Sequence, residues 1–151
     1  MEIIDNVLPY IGGEEDKMET ETRKLLGEFD GAGVDWHDVT VSASCNRVAT
    51  LDGHLENVWA DLADSPTVAG AREAMGAVPS LDLPSSPDPL ITVFDEPDRP
   101  QPRLDRMIAG GMGIAAGGLQ KTRDGLQYDC LAHNTIRGAA GASLQIGRAH
   151  V

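Results

Sequence analysis

Met107-Ile108-Ala109-Gly110-Gly111-Met112-Gly113-Ile114-Ala115-Ala116-Gly117-Gly118-Leu119-Gln120-Lys121, followed after Thr122-Arg123-Asp124 by Gly125-Leu126-Gln127-Tyr128-Asp129-Cys130-Leu131-Ala132, decides the fold class. The first run reads as a Gly-interrupted strand and the second as the strand that answers it. On the C-terminal side, His133 or Asn134 can cap a last helix from Thr135 to about Leu144, whose Gly138, Ala139, Ala140, Gly141 and Ala142 permit very close packing. Such a helix needs a partner surface.

On the N-terminal side, Pro97, Pro100 and Pro102 mark an extended linker, and Leu90 to Phe94 is a short apolar strand. Pro79 to Pro89 is a Pro- and Ser-rich loop, and Thr67 to Ala77 has helical composition. Leu55 to Leu62 reads as a strand, with Leu55, Asn57, Trp59 and Asp61 on one side and Glu56, Val58, Ala60 and Leu62 on the other. Val39 to Cys45 alternates as another strand, and Arg47 to Leu51 continues it up to the Asp52-Gly53 turn signal. From Glu14 to Leu26 there is no Gly or Pro; acids crowd the first turns, Arg23 and Lys24 sit near the end, and Gly27 supplies a C-cap. Ile3 to Gly13 is an irregular run leading into that helix. Runs of strands with a few helices, without regular βαβ alternation, argue for an α+β fold on a largely antiparallel or mixed sheet with flanking helices.

Composition bounds the function. A chain of 151 residues fits one domain with a real core. A 41% hydrophobic fraction with only 4% aromatics means that core comes from Leu, Ile, Val, Ala and Met. Asp and Glu number 24 against 12 Lys and Arg, and the net charge of -12 repels nucleic acid and anionic membranes. That excess fits either a high-salt cytosol or ordinary solubility. Two cysteines cannot make a disulfide framework, and no charged segment followed by an apolar one opens the chain, so a cytoplasmic, soluble protein is expected.

Three segments carry chemistry. Glu14 and Lys17 lie three residues apart on the first helix, so a carboxylate and an ammonium project from neighbouring positions. They form either a solvated ion pair or a site for a zwitterionic or phosphorylated ligand. Arg47 offers a guanidinium suited to bidentate carboxylate binding, and His54 an imidazole of the kind that titrates near neutrality. An unbroken strand would put these two on opposite faces, so convergence requires a bend at Asp52-Gly53; otherwise His54 is a surface or capping residue. His133-Asn134-Thr135 is a polar cap whose helix could receive an amide or an anionic group, or simply pack. Cys130 and His133 have metal-compatible spacing, but no second pair completes a site, and no metal is expected.

Asn6-Val7-Leu8-Pro9-Tyr10, Leu83-Pro84-Ser85-Ser86-Pro87 and Ala132-His133-Asn134-Thr135-Ile136-Arg137-Gly138-Ala139-Ala140, taken in order, resemble the aspartate-semialdehyde dehydrogenases of the archaeal and fungal branch, in their C-terminal half. The resemblance implies a substrate-binding and dimerization domain over residues 1–132. It further implies that residues 133–145 form a helix belonging to an absent NADP-binding Rossmann domain. Ile146 to Val151 leaves the family pattern and is expected to be a non-native tail. By the same resemblance, His54 is the acid/base residue, Arg47 grips the substrate carboxylate, Glu14 meets its amino group, Lys17 helps bind inorganic phosphate and Asn134 approaches the nicotinamide.

The implied reaction joins a cysteine thiolate, aspartate semialdehyde, NADP and phosphate through a thioester to give aspartyl phosphate. It runs in reverse in lysine, threonine and methionine biosynthesis. The nucleophilic Cys and the nucleotide loop would lie in the missing half, so the fragment alone is expected to be inactive and the whole enzyme a homo-oligomer. Cys45, on an expected sheet strand, reads as a packing residue rather than a substitute nucleophile. Malonyl-CoA reductase is a near alternative and a non-catalytic interaction module a more distant one; Glu14 together with Arg47 suits an amino acid substrate.

Overall fold

Gly125–Ala132 forms β6, the strand that organises the fold, because both of its edges are paired. The computed structural model describes residues 3–149, and the chain divides into two compact units, Met1–Ala49 and Thr50–Val151. This division follows packing, whereas the sequence-based division at residue 132 follows the expected origin of the segments.

In the second unit the sheet is mixed. Its described strands are β3 (His54–Asp61), β4 (Ile91–Val93), β5 (Ile114–Lys121) and β6, in the order β3-β6-β5-β4. β3 and β5 both pair antiparallel with β6, while β4 runs parallel to β5. β6 matches its expected bounds, and β3 begins one residue before its expected start. Ala115, Ala116, Leu126 and Leu131 are buried at the centre. Leu131, with 2% of its surface exposed, contributes about 1.5–3 kcal/mol by that burial. Gly117 leaves room for the backbone of Arg99: a Cβ there would lie 2.2 Å from the Arg99 carbonyl oxygen. β3 is an edge strand with exposed Leu55 and Trp59, the latter 65% exposed.

Helix α2 (Val68–Gly76) starts where Thr67 accepts the Gly70 amide at 3.0 Å. Arg72 of α2 reaches the Phe94 carbonyl at 3.0 Å and the Asp95 carboxylate at 3.0 Å. The expected linker through Pro97 and Pro102 contains a short helix, α3 (Pro102–Asp105), because proline at a first helical position is already set for the turn. Asp105, 3% exposed, accepts both nitrogens of an Arg99 fork and the Gln101 amide. The Arg99 guanidinium also lies 4.4 Å from the Phe94 ring. The Arg99 fork, more than the Gln101 amide, holds the Asp105 carboxyl below the usual range against the opposing effect of burial.

The expected strand from Met107 starts only at Ile114. Ala109, Gly110 and Gly111 all have positive φ and wind a 3₁₀ turn over Ile108–Gly111. The last helix opens as a π-turn, Ile136–Ala140, with Gly138 and Ala140 bonding back five residues to His133 and Thr135. It continues as α4 (Gly141–Ala149), so residues 146–149 are helical, while residues 150 and 151 lie outside the described residues. Gly141 sits hard against the Met112 sulfur, and Gln145 bonds Ser86 at 2.9 Å. Leu144 and Ile146 are exposed.

The first unit holds α1 (Glu14–Leu25) and a hairpin of β1 (Glu28–Phe29) and β2 (Val34–Asp35). Two expectations fail here. Gly27 is no left-handed cap; it is required because a Cβ would lie 2.3 Å from the Asp35 carbonyl oxygen. Val39 to Cys45 alternates in sequence but pairs with nothing as a strand, so Cys45 is not on a sheet. The hairpin, in turn, was not anticipated; Asp30 makes its turn by accepting the Ala32 and Gly33 amides at 2.8 Å. Among the described residues, no helix is long and apolar enough to cross a membrane.

Candidate functional site

Asp52-Gly53 provides the turn that presents His54. Gly53 has φ of +104°, a conformation that disfavours any side chain, and a Cβ there would also sit 3.1 Å from Leu131 Cδ1. From this turn the chain enters β3, and His54 pairs in register with Ala132 at the far end of β6. His54 is exposed.

The same end of the sheet carries Asn134. Its Oδ1 accepts the Gly53 amide at 3.0 Å across 81 residues of sequence. Since Gly53 offers a donor, the atom that meets it must be the oxygen, which assigns Oδ1 and Nδ2 by chemistry. Nδ2 has no hydrogen bond among the described residues. Capping falls to the other candidate: His133, 5% exposed, accepts the Thr135 and Ile136 amides on Nδ1, each at 3.3 Å. That Nδ1 accepts implies the tautomer protonated on Nε2.

Within the first unit, Glu14 is half-buried in the first turn of α1, and Lys17 is exposed one turn on. No ion pair joins them among the described residues, so the solvated-pair reading of this constellation is not what the structure adopts. Arg47 is exposed and held by its backbone alone, exchanging hydrogen bonds with Leu8 at 3.0 and 2.9 Å. No hydrogen bond occupies the side chains of Glu14, Lys17, Arg47 or His54 among the described residues, which leaves each able to meet a ligand. Thus His54 and Asn134 are brought together in the second unit, while Glu14, Lys17 and Arg47 belong to the first.

The two thiols lie in different surroundings. Cys130 faces Glu56 across β3 and β6, and burial, reinforced by that carboxylate, pushes its thiol up to about 12. Cys45 packs its sulfur 3.5 Å from that of Met18 and donates its backbone N–H to Glu15 at 3.0 Å. Its neighbours include a carboxylate and a thioether. Among the described residues no three His, Cys, Asp or Glu side chains gather as a metal site would require.

Sequence reasoning missed two parts of this arrangement. Gly53 was read as a turn but not as the anchor of Asn134, because nothing local signals a contact over such a separation. The Arg99–Asp105 pair was passed over inside a proline-marked linker, where an Arg and an Asp six residues apart carry no pattern.

A helix-flanked mixed sheet, with an imidazole at the head of its edge strand and a carboxamide bound beside it, defines an α+β domain. The semialdehyde dehydrogenase dimerisation domain matches residues 1–137, and the chain belongs to that family. Among its relatives is the aspartate-semialdehyde dehydrogenase of Archaeoglobus fulgidus, 52% identical over 143 residues that span 94% of this chain and 42% of that protein. The crystal structure of the Candida albicans aspartate semialdehyde dehydrogenase with NADP superposes with a TM-score of 0.85 at 37% identity, covering 97% of this chain and 44% of that one. A Vibrio cholerae aspartate semialdehyde dehydrogenase II, complexed with ASA, shares the fold at a TM-score of 0.77 and 22% identity, covering 96% of this chain and 40% of that one. The chain therefore spans less than half the length of the relatives it matches, and corresponds to their C-terminal part.

Proposed function

We propose that this chain supplies the substrate-binding and acid/base portion of an NADP-dependent aspartate-semialdehyde dehydrogenase that assembles as a homo-oligomer. The observation that carries the reading is the family match over residues 1–137, on a chain whose Glu14, Lys17, Arg47 and His54 side chains make no hydrogen bond or ion pair among the described residues. The nucleophile is assigned to the remainder of the enzyme, since this chain covers 42% of the Archaeoglobus fulgidus relative, and burial beside Glu56 raises the Cys130 thiol away from that role.

The division of labour follows from residue chemistry. His54, exposed at the head of β3, takes and returns a proton at the reacting thiol and oxygen, the task for which an imidazole is suited near neutral pH. Arg47 binds the substrate carboxylate through its guanidinium fork, and Glu14 meets the substrate ammonium. Lys17 offers a point charge to inorganic phosphate. NADP, when bound, supplies hydride exchange at the substrate carbon. Its nicotinamide carboxamide would be met by Nδ2 of Asn134, a donor with no hydrogen bond among the described residues.

The test joins this chain to the N-terminal part of the Archaeoglobus fulgidus relative and measures NADP reduction. Arg47→Ala is expected to raise KM for aspartate semialdehyde, and Lys17→Ala to raise KM for phosphate, each about tenfold or more. A fusion that folds and turns over, but whose two KM values ignore these substitutions, would overturn the assignment.

A further inference from the structure

Asn134 has two chemically distinct ends, and among the described residues only one of them is hydrogen-bonded. Its Oδ1 is committed to the Gly53 N–H at 3.0 Å. Gly53 immediately precedes His54, and its φ of +104° is one that glycine visits freely but that its backbone alone does not select over negative φ. Around it stand the Leu131 side chain and the Cβ atoms of Pro102 and Arg106, which would meet an added Cβ at 3.1, 3.6 and 3.6 Å. These contacts limit how Gly53 can be filled but supply no polar tether. His54 itself is secured on its other side by pairing with Ala132, two residues before Asn134. The turn that presents the imidazole is thus pinned at one end by the β3–β6 ladder and at the other by a single carboxamide.

We propose that Asn134 is a positioning residue for His54, holding the Asp52-Gly53 turn through its Oδ1 while its Nδ2 serves the nicotinamide, so that one side chain ties the acid/base group to the hydride-acceptor side. The inference rests on the reading of His54 as the acid/base residue. It adds a role that the nicotinamide contact does not require: a carboxamide needed only as a donor would have no reason to spend its acceptor on the backbone beside His54.

Substitution separates the two ends. Asn134→Asp keeps an acceptor for Gly53 and loses the Nδ2 donor, whereas Asn134→Ala loses both. In the chimeric enzyme both variants raise KM for NADP, but Ala lowers kcat about tenfold further than Asp, since small misplacements of a catalytic group are costly. Combined with His54→Ala, the Ala and Asp variants converge in kcat, because no imidazole remains to be misplaced. Independently of activity, amide exchange at Gly53 in the chain itself stays slow in Asn134→Asp and becomes fast in Asn134→Ala. Equal kcat losses for Ala and Asp, with Gly53 exchange unmoved in both, would overturn the positioning role. If His54→Ala alone leaves turnover intact, the acid/base reading fails instead, and the two failures cannot be confused.

Discussion

Replacing Gly117 by Ala adds one methyl group in the middle of β5, and the structure says where that methyl must go. It would lie 2.2 Å from the Arg99 carbonyl oxygen, 3.0 Å from its carbon and 3.2 Å from Pro100 Cδ. The first distance is about 1 Å inside tolerable contact, and the atom it meets is backbone rather than a side chain that can swing away. Gly117 has no positive φ, so strain from its own conformation does not enter. The segment it meets is not free to retreat, because Arg99 is tied to buried Asp105 by a two-pronged ion pair and Pro100 is itself buried. Overpacking of this kind costs about 2–3 kcal/mol, which for a chain of this size lowers Tm by about 4–12 °C.

The assay is thermal unfolding followed by circular dichroism, with Gly76→Ala as the internal control. Gly76 ends α2 with nothing within 4 Å of the added carbon, so there the same chemical change is neutral or stabilising by up to about 1 kcal/mol. A Gly117→Ala chain that melts with the wild type, or with Gly76→Ala, refutes the close approach of residues 99–100 to β5.

Three further outcomes follow from the same structure. The Asp105 carboxyl is held low by Arg99, so the stability it contributes is fully present above the unfolded carboxylate range and is lost as pH falls through its depressed folded value. Asp105→Asn should therefore flatten the acid limb of a stability–pH curve, and an unchanged limb contradicts the pairing. With its thiol raised to about 12 by burial, Cys130 should react with a disulfide reagent at pH 8 about tenfold or more slowly than an ordinary thiol, about half of the lost thiolate fraction on a log scale being offset by the greater nucleophilicity of a more basic thiolate; mass mapping that finds it labelled as fast as an unperturbed thiol contradicts the burial. Thr67→Ala removes the acceptor for Gly70 and should cost about 1 kcal/mol, read as a lowered denaturant midpoint at constant slope.

What the sequence disclosed was governed by whether local signals were also the deciding ones. β6 and α2 were legible because apolar strand composition and a Thr N-cap coincide with what the packing uses. Val39 to Cys45 misled because alternation states a preference for pairing and cannot supply a partner. Gly110 and Gly111 turned an apparent strand into a 3₁₀ turn by going to positive φ, a freedom that glycine permits and does not announce, and Ala109 joins them at φ of +50°, of which an alanine gives no sign. Pro102 marks an extended linker by sequence, whereas at a helix start its fixed φ is favourable. Within the site, residue types pointed to Arg47, His54 and Asn134, but the bond from Asn134 to Gly53 exists only because β3 and β6 pair in one register. Of the two readings that spacing allows for Glu14 and Lys17, an ion pair or a ligand site, the ion pair is absent among the described residues.

The central claim is that this chain carries the acid/base and substrate-binding groups of an aspartate-semialdehyde dehydrogenase. Its most direct test is phosphate-dependent NADP reduction with aspartate semialdehyde by the chain fused behind a relative's N-terminal part, beside His54→Ala. Turnover that falls by about 10²-fold or more in the variant, with the fold intact, is the predicted result. A folded fusion that is inert toward this substrate while reducing malonyl-CoA, or one whose turnover ignores His54→Ala, would contradict it.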